Sequence, residues 1–167
     1  RWKGQLDFIS IIHKLIQSEI DVHGVIVGAA HTTKGNYEDE LICKIDQLGL
    51  NNHISLVGHR TDLKEILAVS TIVFSLSTEP EAFGRTTIEA LSLGTPVIGY
   101  SHGGVKEQLE QVLPDGMVPV GSIQSAVTKA TQWMKNPPMP SKDHPFTLDS
   151  MCTKTLHLYE ELHNCVN

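Results

Sequence analysis

Two carboxylates, Glu81 and Glu89, stand eight residues apart in the stretch Glu81-Ala-Phe-Gly-Arg-Thr-Thr-Ile-Glu89. The first lies in a polar loop after the β-branched run Thr71-Ile-Val-Phe74. The second lies inside a short apolar helix that Gly94-Thr-Pro96 stops. A loop with a free acid that opens onto a helix amino terminus can hold an anion together with its attached hydroxyls. The helix end offers unpaired N–H groups and the positive end of its dipole, and a carboxylate accepts from diols. A hydrogen bond to a charged carboxylate is worth about 1.5–3 kcal/mol, so two such acids can dominate recognition of a sugar-bearing ligand. In an average chain the plainer reading prevails: one loop acid and one solvated helix residue. Phe83-Gly84 and the tightly stopped helix favour the functional reading here.

Other candidates are weaker one by one. In His102-Gly103-Gly104-Val105-Lys106-Glu107 the glycines let backbone approach a ligand, or simply supply a positive-φ turn. Lys3-Gly4 opens a helix, and Arg60 sits in the loop Gly58-His-Arg60; either cation is equally a surface charge.

The elements that must position these residues follow from periodicity. Leu6, Ile9, Ile12, Leu15 and Ile16 predict an amphipathic helix over about 4–19, and Leu41, Ile45 and Leu48 predict another over 36–49. Asp62 is expected to cap a short helix carrying Leu63, Ile66 and Leu67. Further helices are expected from His102 through Leu109, over about 121–135, and from Leu148 to His163 after the hinge Asn136-Pro-Pro-Met-Pro140. Strands are expected at 22–27, 53–57, 71–74 and 95–100, with a short edge strand at 116–120 that contains Pro119. Short apolar strands alternating with helices give an α/β domain with a mostly parallel sheet. The turns at 28–35, 58–61, 75–84 and 101–104 all follow strands, so all four should crowd the carboxyl edge of that sheet, where such folds bind ligands.

At 167 residues the chain suits one domain. Its apolar content of 40% and charged content of 19% suit a globular protein. A net charge of −6 disfavours nucleic acid or an anionic membrane surface as partner. No apolar run is long enough to span a bilayer, and nothing at Arg1 reads as a signal peptide. Cys43, Cys152 and Cys165 lack paired metal spacing and read as reduced thiols in a cytoplasmic protein, and the nine histidines form no HExxH pattern. No metal is expected. A dinucleotide dehydrogenase is disfavoured, because no Gly-x-Gly-x-x-Gly follows a strand.

Taken together, the residues resemble the C-terminal, nucleotide-sugar-binding half of a retaining GT-B glycosyltransferase, close to glycosyltransferase family 4. The matching residues are Lys3-Gly4, Ile26-Val-Gly28, Tyr37, Leu48-Gly-Leu50, Val57-Gly58 and Asp62, then Ser77-x-x-x-Glu81-x-Phe-Gly84, Glu89-Ala90, Gly94-Thr-Pro-Val-Ile98, Gly103-Gly104 and Glu107. Phe146, Met151 and Tyr159 carry the match into the terminal helix. The resemblance implies a Rossmann-like three-layer sandwich. Its donor would be a nucleoside-diphosphate sugar, a UDP-sugar slightly favoured over a GDP-sugar, with no separate cofactor. Glu89 would bind the ribose hydroxyls. Glu81, the catalytic candidate, would orient the donor sugar rather than act as nucleophile. Backbone N–H groups of Phe83, Gly84, Arg85, Thr86 and Thr87 would meet the sugar and diphosphate, Lys3 would neutralise the diphosphate, and the Gly58–Arg60 loop would flank the base. Gly103 and Gly104 complete the donor-binding set. The implied reaction transfers the sugar with retention to a glycan or lipid-linked glycan, in cytoplasmic polysaccharide biosynthesis. The alternatives are a sugar-nucleotide epimerase, a phosphorylase, or a nucleotide-binding module without catalysis.

Two departures from that pattern carry expectations of their own. The family places a strand and a Gly-Arg before Lys-Gly; Arg1 does not match that arginine, and the first strand is expected to be missing from the centre of the sheet. The acceptor-binding N-terminal half, which could meet the inner face of a membrane, is also expected to be absent. The segment is therefore expected to bind donor without completing turnover. The helix at 145–167 would cross to that absent half, pack on its own domain, or be displaced.

Overall fold

The computed structural model describes residues 2–28 and 37–166. The elements in chain order are α1 (Gln5–Gln17), β1 (Gly24–Ile26), α2 (Tyr37–Gln47), β2 (Ile54–Leu56), α3 (Leu63–Val69), β3 (Val73–Ser75), α4 (Arg85–Leu93), β4 (Val97–Tyr100), α5 (Gly103–Val112), a 3-10 turn (Pro114–Gly116), β5 (Met117–Val118), α6 (Ile123–Lys135) and α7 (Leu148–Val166). All strand pairs are parallel, and they fall into two groups. In one, β1 pairs with β2, with Val25 opposite Ser55. In the other, β4 lies between β3 and β5, with Phe74 opposite Ile98 and Tyr100 opposite Val118. This is the α/β, Rossmann-like architecture expected, with β5 at an edge and Pro119 just beyond it.

Helices cover both faces. α1 packs on α2 and α6, while α4 packs on α3 and α5. Every residue of β4 is buried, as a parallel strand covered on both sides requires. The core joins Ile9, Ile11, Ile12 and Leu15 of α1 to Val97, Ile98 and Tyr100 of β4 and to Ala126, Ala130 and Trp133 of α6. Two polar devices pin this core. The Tyr100 hydroxyl donates to Asp7 Oδ2 at 2.6 Å, tying β4 to α1. The Trp133 indole donates to Asp115 Oδ2 at 3.1 Å, while Lys129 Nζ lies 2.5 Å from the other oxygen of that carboxylate. The lysine, with the indole assisting against slight burial, holds the Asp115 carboxyl below its ordinary range.

Local signals set the helix ends. α4 stops at Gly94, whose φ of +86° lets Thr95 N–H reach Ala90 O and Gly94 N–H reach Leu91 O, a Schellman closure. The buried Thr95 hydroxyl then donates to Leu67 O at 2.9 Å, docking this stop on α3. The Ser122 hydroxyl caps α6 by accepting from Ser125 N. The cap expected of Asp62 is not made. Asp62 occupies the position before α3 without a side-chain cap, because both its oxygens accept from Arg60, at 2.8 and 2.6 Å. A charge-assisted bidentate pair outcompetes a single backbone N–H.

The strands are shorter than the apolar runs that encode them, and the sheet is interrupted. β1 and β3 each pair on one side only. Between them lies a cavity of about 970 Å³, lined by residues of both strands, by α1 and by α3. The expected gap in the centre of the sheet is therefore present. Along α7 the residues from Met151 to Asn164 are exposed, including Leu156, Tyr159 and Leu162. Phe146, just before α7, packs on the core and sets its ring edge-on to that of Phe83, with centroids 6.2 Å apart.

Candidate functional site

The loop from Leu76 to Gly84 leaves the carboxyl end of β3, and two other segments join its own Ser77 around its acid, Glu81. Lys3 Nζ lies 2.9 Å from Glu81 Oε2, and the buried Ser77 hydroxyl donates to Oε1. His102 Nε2 donates to Ser77 O at 2.7 Å, which places the imidazole on the same cluster. Partial burial pushes the Glu81 carboxyl upward, but the Ser77 hydroxyl, the Lys3 ammonium and His102 outweigh it and hold the carboxyl below its ordinary value. Glu81 is thus a fixed anion at neutral pH. Lys3 also lies over the Trp2 ring, 4.2 Å from its centroid.

α1 and α4 both begin at this cluster, each after a glycine in the left-handed region, Gly4 at φ +76° and Gly84 at φ +78°. At Gly4 the requirement is absolute, because a Cβ would fall 2.0 Å from Leu76 O. No side chain caps α4. Of the backbone donors expected between Phe83 and Thr87, that of Thr87 is taken by Gly84 O at 3.0 Å, and the Thr87 hydroxyl donates to Ser75 Oγ. The N–H groups of Arg85 and Thr86 have no backbone partner among the described residues. They form the open end of the helix, and Gly84 and Thr86 line the mouth of the 970 Å³ cavity together with Lys3 and Glu81.

Gly103 and Gly104 begin α5 beneath this loop. A Cβ at Gly103 would lie 2.6 Å from Glu81 O, and one at Gly104 2.6 Å from Phe83 Cα. Gly104 N–H donates to Glu81 O at 2.8 Å, and buried Gln108 donates to Phe83 O at 2.5 Å. The close approach these glycines allow is made to the loop carrying Glu81 and Phe83.

Glu89 lies in the second turn of α4, as its spacing predicts, with its side chain exposed and no ion pair or hydrogen bond among the described residues. It stands outside the cavity lining. Arg60 lines the far side of the cavity, but its guanidinium is committed to Asp62. Among the described residues the turns meet in two pairs. Gly28 N–H donates to Gly58 O at 2.8 Å, and the 75–84 and 101–104 turns meet through Ser77 and His102. The rest of the 28–35 turn lies outside the described residues.

Sequence reasoning left Ser77 and His102 without an individual role at Glu81, and Trp2 without any. Ser77 carried a readable signal, four residues before the acid in a loop. The approach of His102, twenty-five residues further on, exists only after folding.

Arranged in this way, the site offers one anion, one cation, an open helix end and a cleft beside them. Residues 1–144 match the protein family described as Glycosyl transferases group 1. The chain belongs to that family. Among curated relatives, N-acetyl-alpha-D-glucosaminyl L-malate synthase of Bacillus anthracis is 28% identical over 134 residues, covering 78% of this chain and 32% of that protein. Among solved structures, Anabaena Alr3699/HepE in complex with UDP and glucose is 30% identical with a TM-score of 0.74, over 81% of this chain and 36% of that one. A glycosyltransferase from Rickettsia africae is 26% identical with a TM-score of 0.83, over 96% of this chain and 45% of that one. This group 1 chain spans about a third of the length of the curated relative and under half of either solved structure. The Rossmann-like fold is that of GT-B glycosyltransferases. Among the described residues no helix is long and apolar enough to cross a membrane.

Proposed function

We propose that this chain is the donor-binding half of a retaining glycosyltransferase of family 4, using a nucleoside-diphosphate sugar. The observation that carries the reading is the junction of Glu81, Lys3 and the uncapped start of α4 at one cavity mouth. A diphosphate needs a cation and backbone donors; a hexose needs a fixed acceptor for its hydroxyls. Lys3 and the N–H groups of Arg85 and Thr86 supply the first pair, and Glu81 supplies the second. Glu89, exposed on the same helix, is assigned to the ribose hydroxyls.

In this reading the departing diphosphate is stabilised by Lys3 and the helix end, which is the main electrostatic demand of the reaction. Glu81 is a positioning acid. Its salt bridge and its hydrogen bond from Ser77 leave it acceptor-rich and poorly placed as a free nucleophile. No metal is needed, because the lysine and the helix dipole take the charge. Anabaena Alr3699/HepE is described in complex with UDP and with UDP-glucose, which supports a uridine donor here. The acceptor, a glycan or lipid-linked glycan, falls to a further domain, and polysaccharide biosynthesis on the cytoplasmic side is the setting proposed.

Thermal-shift titration tests this. UDP and UDP-glucose should raise the melting temperature of the chain saturably, GDP less so, and Glu89→Ala should remove most of the UDP effect. A melting temperature indifferent to all three nucleotides would sink the reading.

A further inference from the structure

The segment between α6 and α7 makes contacts that the donor reading does not use. Three alternate residues of it, Lys142, His144 and Phe146, meet α4 at successive points from its carboxyl end toward its amino end. The Lys142 side chain lies over Gly94, where an added Cβ would fall 2.8 Å from its Cε and 3.5 Å from its Nζ. His144 Nε2 and Ser92 Oγ are 2.7 Å apart. The Ser92 hydroxyl is already donated to Ile88 O at 2.6 Å, so the imidazole N–H is the donor of this pair. The rings of His144 and Phe146 lie 6.2 Å apart, and Phe146 in turn stands edge-on to Phe83 at the same separation. Asp143 and Pro145, between these residues, are exposed.

What these contacts hold is the helix that bears the site. α4 carries no acid in its first turn and no base in its last. Lys142 brings an ammonium to the carboxyl end, where the dipole is negative, and the positive amino end is left open for a ligand. Phe83 precedes Gly84, the left-handed residue before α4, and a glycine by itself fixes the path of the chain poorly. The direction of the open N–H groups therefore depends on how firmly Phe83 is held. From beneath, Gly104 and Gln108 grip its backbone. Its ring, 44% exposed, is met by Phe146. Beyond this segment α7 is exposed from Met151 to Asn164, so the contacts serve α4 rather than a packed terminal helix.

We infer that residues 142–146 form a brace that sets the open end of α4, with His144 and Phe146 as positioning residues for recognition of the diphosphate. Both act through other residues, Phe146 through Phe83 and His144 through Ser92. The ligand's identity rests on the donor reading, whereas the brace itself is tested without any ligand.

In the chain without nucleotide, Phe146→Ala should speed amide exchange about tenfold at Gly104, whose N–H is bonded to Glu81 O, and at Thr87, whose N–H is bonded to Gly84 O. In titration calorimetry the same variant should weaken UDP about tenfold, the upper end of what an edge-on aromatic pair contributes. Uridine should be nearly unaffected, and Phe146→Tyr, which keeps the ring, should match the parent with both ligands. His144→Ala tests the other end of the brace and serves if Phe146→Ala does not fold. It should weaken UDP about threefold, within the net worth of one hydrogen bond, and His144→Gln, which keeps an N–H donor, should restore it. Val127→Ala truncates the buried face of α6 away from the brace and should leave the ratio of UDP to uridine affinity unchanged. Unaltered exchange at Gly104 and Thr87 in both alanine variants would overturn the inference. So would equal losses of UDP and uridine, or a ratio shifted as far by Val127→Ala. A parent chain that bound neither UDP nor uridine would count against the donor reading, and the exchange result would still decide the brace.

Discussion

Lys3 Nζ and Glu81 Oε2 lie 2.9 Å apart, an ion pair that joins the start of α1 to the loop after β3 at the mouth of the cavity. The pair is half open to solvent on the lysine side, and its worth to folding is therefore small, on the order of 0–1 kcal/mol for exposed pairs. Its importance lies in ligand charge. Lys3→Ala should weaken UDP about tenfold, the equivalent of ~1.4 kcal/mol, while leaving uridine nearly unchanged. Titration calorimetry with both ligands checks this. A loss shared equally by uridine would show that Lys3 does not serve the phosphates.

Glu81 also predicts a pH dependence. Its folded carboxyl is held below its ordinary value, so its contribution is present above the unfolded pKa of about 4.3 and is lost as pH falls through the folded one. Urea unfolding of the chain and of Glu81→Gln, compared from pH 7 downward, should show the parent's advantage constant near neutrality and shrinking in the acid range. A gap that widened with acidification would contradict the ion-pair and hydroxyl assignment.

At the opposite end of the pH scale stands Tyr100, buried and donating to Asp7 at 2.6 Å. Burial first, then the hydrogen bond and charge of Asp7, raise its phenol well above the usual value. The neutral phenol therefore favours the fold fully below the unfolded pKa of about 10, and the benefit is lost as pH rises through the folded one. Tyr100→Phe should cost about 1.5–3 kcal/mol at pH 7, the usual worth of a hydrogen bond to a charged group. Its stability should also be flatter than the parent's above pH 10. Denaturant melts at neutral and alkaline pH measure both.

Gly104→Ala should destabilise by about 1–3 kcal/mol, the usual cost of forcing one methyl into a filled space. The added Cβ meets Phe83 Cα and O at 2.6 Å and Ala82 O at 2.8 Å, all of it backbone that cannot turn aside. Calorimetric melting gives the number. By contrast Gly58→Ala meets no atom within 4 Å and should show only the milder strain of its φ of +62°.

The order of elements was legible because apolar period and glycine stops are local. Leu6 to Ile16 repeat at helical spacing, and Gly94 ends α4 where it was expected. Strand lengths were less so. The run at 22–27 forms ladder only at Gly24–Ile26, and the run at 95–100 only at Val97–Tyr100. Glu81 was singled out from sequence, but its partners come from positions 3 and 77, with 102 behind them, and only folding assembles those. Asp62 failed as a cap for a related reason. Residue type shows that a carboxylate is present, whereas its choice between a backbone N–H and the guanidinium two residues earlier is settled by side-chain geometry.

The glycine pair at the start of α5 has a consequence for heredity as well as for packing. Gly103 and Gly104 are excluded from carrying side chains by the backbone of the loop above them. Selection for folding alone would therefore retain both, whatever sugar, base or acceptor a descendant came to use. Glu89 has no partner within the described chain and could drift as soon as its ligand was lost. In a lineage that kept the fold and abandoned the chemistry, the glycines would persist after the acid had gone.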